Sequence, residues 1–372
     1  MKKTNSYLLL FFVVVLFSGI NYSLPRFALR MGGQCADCHV NPTGGELRND
    51  GGWKFGRSVL PMVSAHRKLK MSNILGENIY FGVDYRTQYI YSQQLKRTDF
   101  QKMSGQFYTD INVDEKVDVY GMYDIINQFW EAYGVAHFLP NNSYIKVGTY
   151  SPNYGIRVDD HTAYTRGGDL GFISNLNQGL IYQPGYTETG IEIGAYFSND
   201  LFLTASVGNP HPGLFSSDPA YTASLQYTPV IAHKIPLLIG GSFTTFKGLL
   251  GPLRFSTFPK VKMYGGFWGF GIGDFTLLGE YDIAKDYNVI GTSANALMVK
   301  GNYQIIKGLE AAVRYDRFDP NDNVNKDKAQ RWIFGFEIYP YSFIEIRPQY
   351  RLQIENPDIK NNSFIVQFHF YY

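Results

Sequence analysis

The chain has only two cysteines in 372 residues, so no disulfide framework can hold it together. It also lacks charge of one sign: 34 Lys and Arg stand against 32 Asp and Glu. No basic block rises above that mixed background, which gives no reason to expect a nucleic-acid partner, and the densest run, His66-Arg67-Lys68-Leu69-Lys70, reads as a solvated linker. After the first twenty-odd residues no apolar run reaches the roughly eighteen needed for a spanning helix, which argues against a helical membrane protein. Tryptophan is scarce at 4, whereas 28 Phe, 29 Tyr and 38 Gly with only 18% charged residues exclude a disordered chain and a long coiled coil.

The N-terminus carries an export signal. Met1-Lys2-Lys3 is followed by an apolar run from Leu8 to Phe17 and then by Ser18, Gly19 and Ser23, the pattern of a cleaved leader too short to anchor the mature chain. Cleavage near Ser23 takes the charge balance from 34 against 32 to 32 against 32, and the absence of a cysteine near that point excludes a lipoprotein.

Both cysteines lie in Gln34-Cys35-Ala36-Asp37-Cys38-His39, the C-x-x-C-H pattern of c-type haem attachment. Two thiols at this spacing add to the two vinyl groups of one haem, and the adjoining imidazole of His39 is placed to ligate the iron. A zinc site would want two more thiolates or imidazoles. A thioredoxin-like pair would sit in a βαβ pattern that is not found, and a plain disulfide gives no reason for His39. The expected cofactor is one covalently bound c-type haem on Cys35, Cys38 and His39. For the second axial position His66 is the first choice and Met62 an alternative, with Met71 also within reach; Met would raise the potential relative to His. The segment Val40 to Gly56 reads as turns wrapped around the cofactor, with Trp53 and Phe55 available to pack on the porphyrin edge.

From Glu77 onward, stretches of about ten residues alternate apolar and polar side chains between Gly, Asn, Asp and Pro, as expected for membrane-spanning strands. In Phe343 to Ile354 one face carries Ile344, Ile346, Tyr350 and Leu352, and the other Glu345, Arg347, Gln349 and Arg351. Ser363 to Tyr372 puts Phe364, Val366, Phe368, Phe370 and Tyr372 on one face. That ending resembles the closing strand of bacterial outer-membrane barrels. The expected fold is all-β: a transmembrane antiparallel barrel of about sixteen strands, the first near Glu77 and the last near Asn362. Short connections such as Asp114 to Lys116 and Gly271 to Gly273 belong to the periplasmic end. Longer ones, including Ser92 to Ser104 and Ser151 to Tyr186, belong outside. Asp110, Asn112, Glu280, Asp282, Glu310, Arg314, Asp316, Glu345, Arg347 and Arg351 should face the lumen, which sixteen strands leave wider than side chains can fill. The N-terminal segment is the expected plug. The longest connection gathers Arg157, Asp159, Asp160, His161 and Arg166, groups able to fold inward and meet haem propionates or a metal; His161 is a further alternative iron ligand.

The reading divides the chain into a signal peptide (1–23), a monohaem c-type cytochrome segment (24–76) and a porin-like outer-membrane barrel (77–372). This arrangement resembles the fused monohaem cytochrome-porins of the bacterial outer membrane, the outer-membrane iron oxidases. The sharp part of the resemblance is Cys35, Cys38 and His39, with Pro42 and the glycines after it as support. It implies an electron-transfer protein, a ferrous iron oxidase in the family's own terms, that passes single electrons between extracellular iron and a periplasmic cytochrome, with lipid around the barrel. The alternative is a diffusion porin with a haem-bearing plug or sensor segment.

Overall fold

The computed structural model describes residues 26–31, 33–65, 72–158, 160, 162–168, 179–180, 185–210, 218–232, 234–247, 260–287, 289–355 and 360–372. The export signal, His66, Met71, Asp159 and His161 lie outside these described residues.

Sixteen long strands close on themselves. They are β1 (Ile79–Ser92), β2 (Arg97–Asp114), β3 (Val117–Asp124), β4 (Phe129–Ala136), β5 (Tyr144–Tyr150), β6 (Glu188–Tyr196), β7 (Leu201–Asn209) and β8 (Ala220–Tyr227). They continue as β9 (Ile235–Lys247), β10 (Lys260–Ile272), β11 (Phe275–Lys285), β12 (Ser293–Ile306), β13 (Leu309–Asp319), β14 (Ala329–Ile338), β15 (Ile344–Glu355) and β16 (Ser363–Tyr371). Each pairs antiparallel with its neighbours in sequence, and β16 returns to β1 in register from Ser363 opposite Ser92 to Tyr371 opposite Asp84, so no long edge is left open. Two-residue pieces at Ile74–Leu75 and Val230–Ile231 extend the ladder at one end.

Period-two alternation decides which side chains face which way. On β16, Phe364 and Phe370 are exposed outward, while Ile365, Gln367, His369 and Tyr371 are buried inward. Around the wall the outward set includes Phe107, Trp130, Trp268, Trp332, Phe334 and Tyr350, an apolar belt of the kind a barrel presents to lipid. Nine of the ten expected lumen residues are buried, and Asn112 is partly so. Inside, charges pair: Arg331 meets Asp316 at 2.6 Å and Lys300 meets Glu337 at 2.9 Å, as buried charges require. No helix among the described residues is long and apolar enough to cross a membrane.

One expected connection is corrected. Ser92 to Ser104 is not a long loop, because β2 begins at Arg97 and pairs with β1 as far as Ser92. The polar run Arg97 to Lys102 hides the alternation; Phe100 opposite Tyr89, with ring centroids 5.2 Å apart, carries the pairing instead.

The lumen is filled from both ends. At the short-turn end, helix α1 (Arg26–Met31) packs on β9, β10 and β11. The bare backbone of Gly271 permits this, since a Cβ there would lie 2.9 Å from the Leu29 carbonyl oxygen. From the long-loop end, the connection after β5 turns inward. Tyr154 donates to Asp282 at 3.0 Å, Gly155 N–H to Ser242 at 2.9 Å, and Arg166 to Glu280 at 2.7 Å. Plug and inturned loop meet in one apolar cluster of Leu29, Ile156, Leu238, Phe267 and Leu278.

Candidate functional site

The C-x-x-C-H stretch is a compact turn. A single 3-10 turn spans Cys35–Asp37, the Asp37 carboxylate accepts from the Gln34 amide at 2.6 Å, and the His39 amide donates to the Cys35 carbonyl at 2.9 Å. The chain then makes a tight loop in which His39 pairs antiparallel with Arg48 and Val40 N–H donates to Leu47 C=O at 3.1 Å. Gly44, Gly45 and Glu46 take positive φ at its tip.

Asn49 ties the turn to the next helix. Its side-chain amide donates to the Ala36 carbonyl at 2.7 Å, and its oxygen caps helix α2 (Asp50–Lys54) by accepting from Gly52 N–H at 3.1 Å. That helix lies directly on the motif, and Gly52 is where they touch: a Cβ there would sit 2.0 Å from the Cys38 carbonyl oxygen. The glycines after the motif thus seat a helix against it as well as forming turns.

Cys35, Cys38 and His39 open together onto a cavity of about 340 Å³ within the lumen, inside the range of about 300–1,000 Å³ usual for small-molecule and cofactor sites. Its apolar walls include Phe27, Phe55, Leu60, Tyr108, Met122 and Met298. The two cysteines are thiols, not joined in a disulfide. Burial pushes the Cys35 thiol up to about 12 and also raises Cys38. Burial, reinforced by the charge of Arg48, pushes His39 down to about 3, so its imidazole is neutral and able to ligate. Its Nδ1 finds no hydrogen-bond partner among the described residues. Two thiols and a neutral imidazole opening on one cofactor-sized space fit a c-type haem.

Other expected residues fall elsewhere. Met62 is exposed at the short-turn end, its amide donating to the Tyr339 carbonyl at 2.8 Å, and it does not line the cavity. Trp53 also faces away: its ring lies 5.5 Å from Phe343 and 5.9 Å from Tyr372 in a cluster against the wall, whereas Phe55 does line the cavity. Arg157 and Asp160 reach the cavity, while Arg166 is buried between Glu280 and the carbonyls of Tyr154 and Ile156.

Sequence reasoning missed several cavity residues. His369 lines the cavity with Nδ1 at 2.8 Å from Glu345 and Nε2 at 2.8 Å from Asp84. Its inward parity with Gln367 and Tyr371 was the available signal. Both ring nitrogens are engaged, which makes it a pinned wall residue. Met122, Met298, Arg26 and Arg48 had no comparable signal, because only the closed barrel brings them to one space.

No family model matches this chain, and no curated protein matches it. Solved structures do match in fold. The outer membrane channel DcaP of Acinetobacter baumannii has 12% identity and a TM-score of 0.57, over 81% of this chain and 100% of that one. OmpT of Vibrio cholerae has 14% identity and a TM-score of 0.53 over 81% and 100%. OprB of Pseudomonas putida has 8% identity and a TM-score of 0.55 over 79% and 94%. The fold is a closed, porin-like antiparallel barrel of sixteen strands.

Proposed function

We propose that this chain is an outer-membrane electron conduit that holds one c-type haem inside its lumen. The reading rests on the placement of Cys35, Cys38 and His39 around one cavity enclosed by the barrel. Cys35 and Cys38 would anchor the haem through thioether bonds and His39 would ligate its iron. The bound haem supplies a one-electron iron couple, which suits ferrous iron outside and a periplasmic cytochrome within. His66, or the thioethers of Met122 and Met298 on the cavity wall, would supply a second ligand to the iron.

The remaining work is insulation. A hydrocarbon band about 25 Å tall separates the two faces of such a membrane. The inturned loop and α1 meet inside the lumen through Leu29 and Ile156. The ion pairs Arg166 to Glu280 and Arg314 to Asp160, each 2.7 Å, hold the loop in the lumen.

A redox-titrated visible spectrum of the purified protein, with ferrous iron then added to the oxidised form, tests the reading. Prompt reduction supports inward electron flow from iron, and a low potential with no iron response supports outward delivery. A chain that carries no haem rejects both. The second reading, a diffusion channel with a plugged or sensing N-terminal segment, is favoured by the likeness in fold to the A. baumannii channel. Large, steady ion currents through the pure protein in planar bilayers would support it.

A further inference from the structure

The cavity beside the motif has an uneven charge inventory. Seven basic side chains line it against five acidic ones, apart from the imidazoles. Five of the seven are neutralised close by. Arg86 lies 3.1 Å from Asp84, Arg314 2.7 Å from Asp160 and Arg347 2.5 Å from Glu345, while Arg26 and Lys300 share Glu337.

The remaining two flank the motif. Arg48 is the strand partner of His39; its guanidinium stacks 4.5 Å from the Tyr371 ring centroid and forms no ion pair among the described residues. Arg157 arrives from the inturned loop. Its nearest carboxylate contact is long, 3.9 Å to Glu46, one terminal nitrogen donates to the Ser151 carbonyl at 3.0 Å, and its buried Nε has no partner among the described residues. Their fields converge on the attachment residues, Arg48 on Cys38 and His39 and Arg157 on Cys35 and His39.

The two lining carboxylates left to them are Glu46 and Glu131, of which Glu46 comes no closer than 3.9 Å to Arg157, so the guanidinium donors of both arginines remain open to an anion. Arginine is suited to a carboxylate because its planar fork donates two parallel hydrogen bonds. We propose that Arg48 and Arg157 are the positioning residues for the two carboxylate side arms of the tetrapyrrole, one from the plug and one from the loop. This rests on the haem reading above and adds which edge of the cofactor faces which element. It also gives the inturned loop a second role: through Arg157 it becomes part of the cofactor's seat as well as a septum.

The test uses the full-length protein purified from cells that attach c-type haem, comparing wild type with Arg48→Ala, Arg157→Ala, Arg48→Lys and Glu46→Gln. A guanidinium beside a carboxylate arm favours the reduced iron, so each alanine variant should keep its covalent haem while the reduction equilibrium falls about tenfold, about 59 mV for one electron. Arg48→Lys should recover part of that shift. Glu46→Gln, which removes the carboxylate nearest Arg157, should move the potential the opposite way. The circular dichroism of the haem band should change in both alanine variants. Variants that carry haem with unchanged potential and unchanged dichroism overturn the assignment and leave the haem reading standing. A wild-type chain that carries no haem overturns both.

Discussion

Arg166, on the connection that follows β5, lies 2.7 Å from Glu280 in the middle of β11, and both side chains are buried. This contact spans 114 positions in sequence and holds the inturned loop against the opposite wall of the lumen. Breaking one side of a buried pair typically costs about 3–5 kcal/mol, because the other charge is left uncompensated. Arg166→Ala is therefore expected to release the loop while the outer strands stay paired. Ion conductance in planar bilayers should rise from near zero to discrete open events, and Glu280→Gln should give a smaller rise. Unchanged conductance in Arg166→Ala would show that the loop is held by other means.

Gly52 controls how closely α2 lies on the motif. Its missing Cβ leaves room for the Cys38 carbonyl, so Gly52→Ala is expected to lift the helix and lower covalent haem per chain several-fold at equal barrel yield. Gly266→Ala, where an added Cβ meets nothing within 4 Å, is the matched control and should keep full haem content. Haem-stained gels normalised to protein would read the difference.

Lys146 fastens the plug from the wall. It is fully buried, donating to Glu192 at 2.8 Å and to Asn41 of the plug at 3.2 Å, with the rings of Tyr133, Tyr144 and Tyr150 around it. Lys146→Met strands Glu192 and should cost about 3–5 kcal/mol. Added protease should then cut residues 26–65 sooner than in wild type. Lys146→Met with Glu192→Gln should recover part of that protection, since no lone charge remains.

His39 gives the plug of a haem-free chain a defined pH response. Its pKa is pushed down to about 3 by burial and the charge of Arg48, against about 6.5 in an unfolded chain. A depressed value means that the seated plug holds fewer protons than the released one. Seating is therefore fully favoured above about pH 6.5 and is lost progressively as pH falls toward 3. In a Cys35→Ser, Cys38→Ser protein whose only tryptophan is Trp53, acrylamide quenching should increase across that window. Adding His39→Asn should flatten the response.

Legibility in the sequence divided along physical lines. The barrel could be read because alternation is local: Ile344 against Glu345 on β15 and Phe368 against Gln367 on β16 declare their faces within two residues. The attachment residues could be read because their chemistry demands a fixed spacing. The shape of the lumen could not, because it depends on contacts such as Tyr154 to Asp282 and Arg314 to Asp160, between segments more than a hundred residues apart. Polar loop residues such as Thr162 and Arg166 look solvated in sequence and become buried only when β11, β13 and β14 supply their partners. Separation in sequence likewise concealed Met122 and Met298, and made Trp53 look like a cofactor neighbour when it packs on Phe343.

The central claim is that the barrel carries one covalently attached haem in its lumen. The most direct measurement is the intact mass, with the reduced visible spectrum, of the chain purified from outer membranes of cells able to attach c-type haem. The account expects the mass of one haem above that of the processed chain and a c-type spectrum, both lost in Cys35→Ala with Cys38→Ala, while the barrel still inserts. A wild-type chain of bare processed mass, with both thiols open to alkylation and open-channel conductance, would contradict it and leave a diffusion channel.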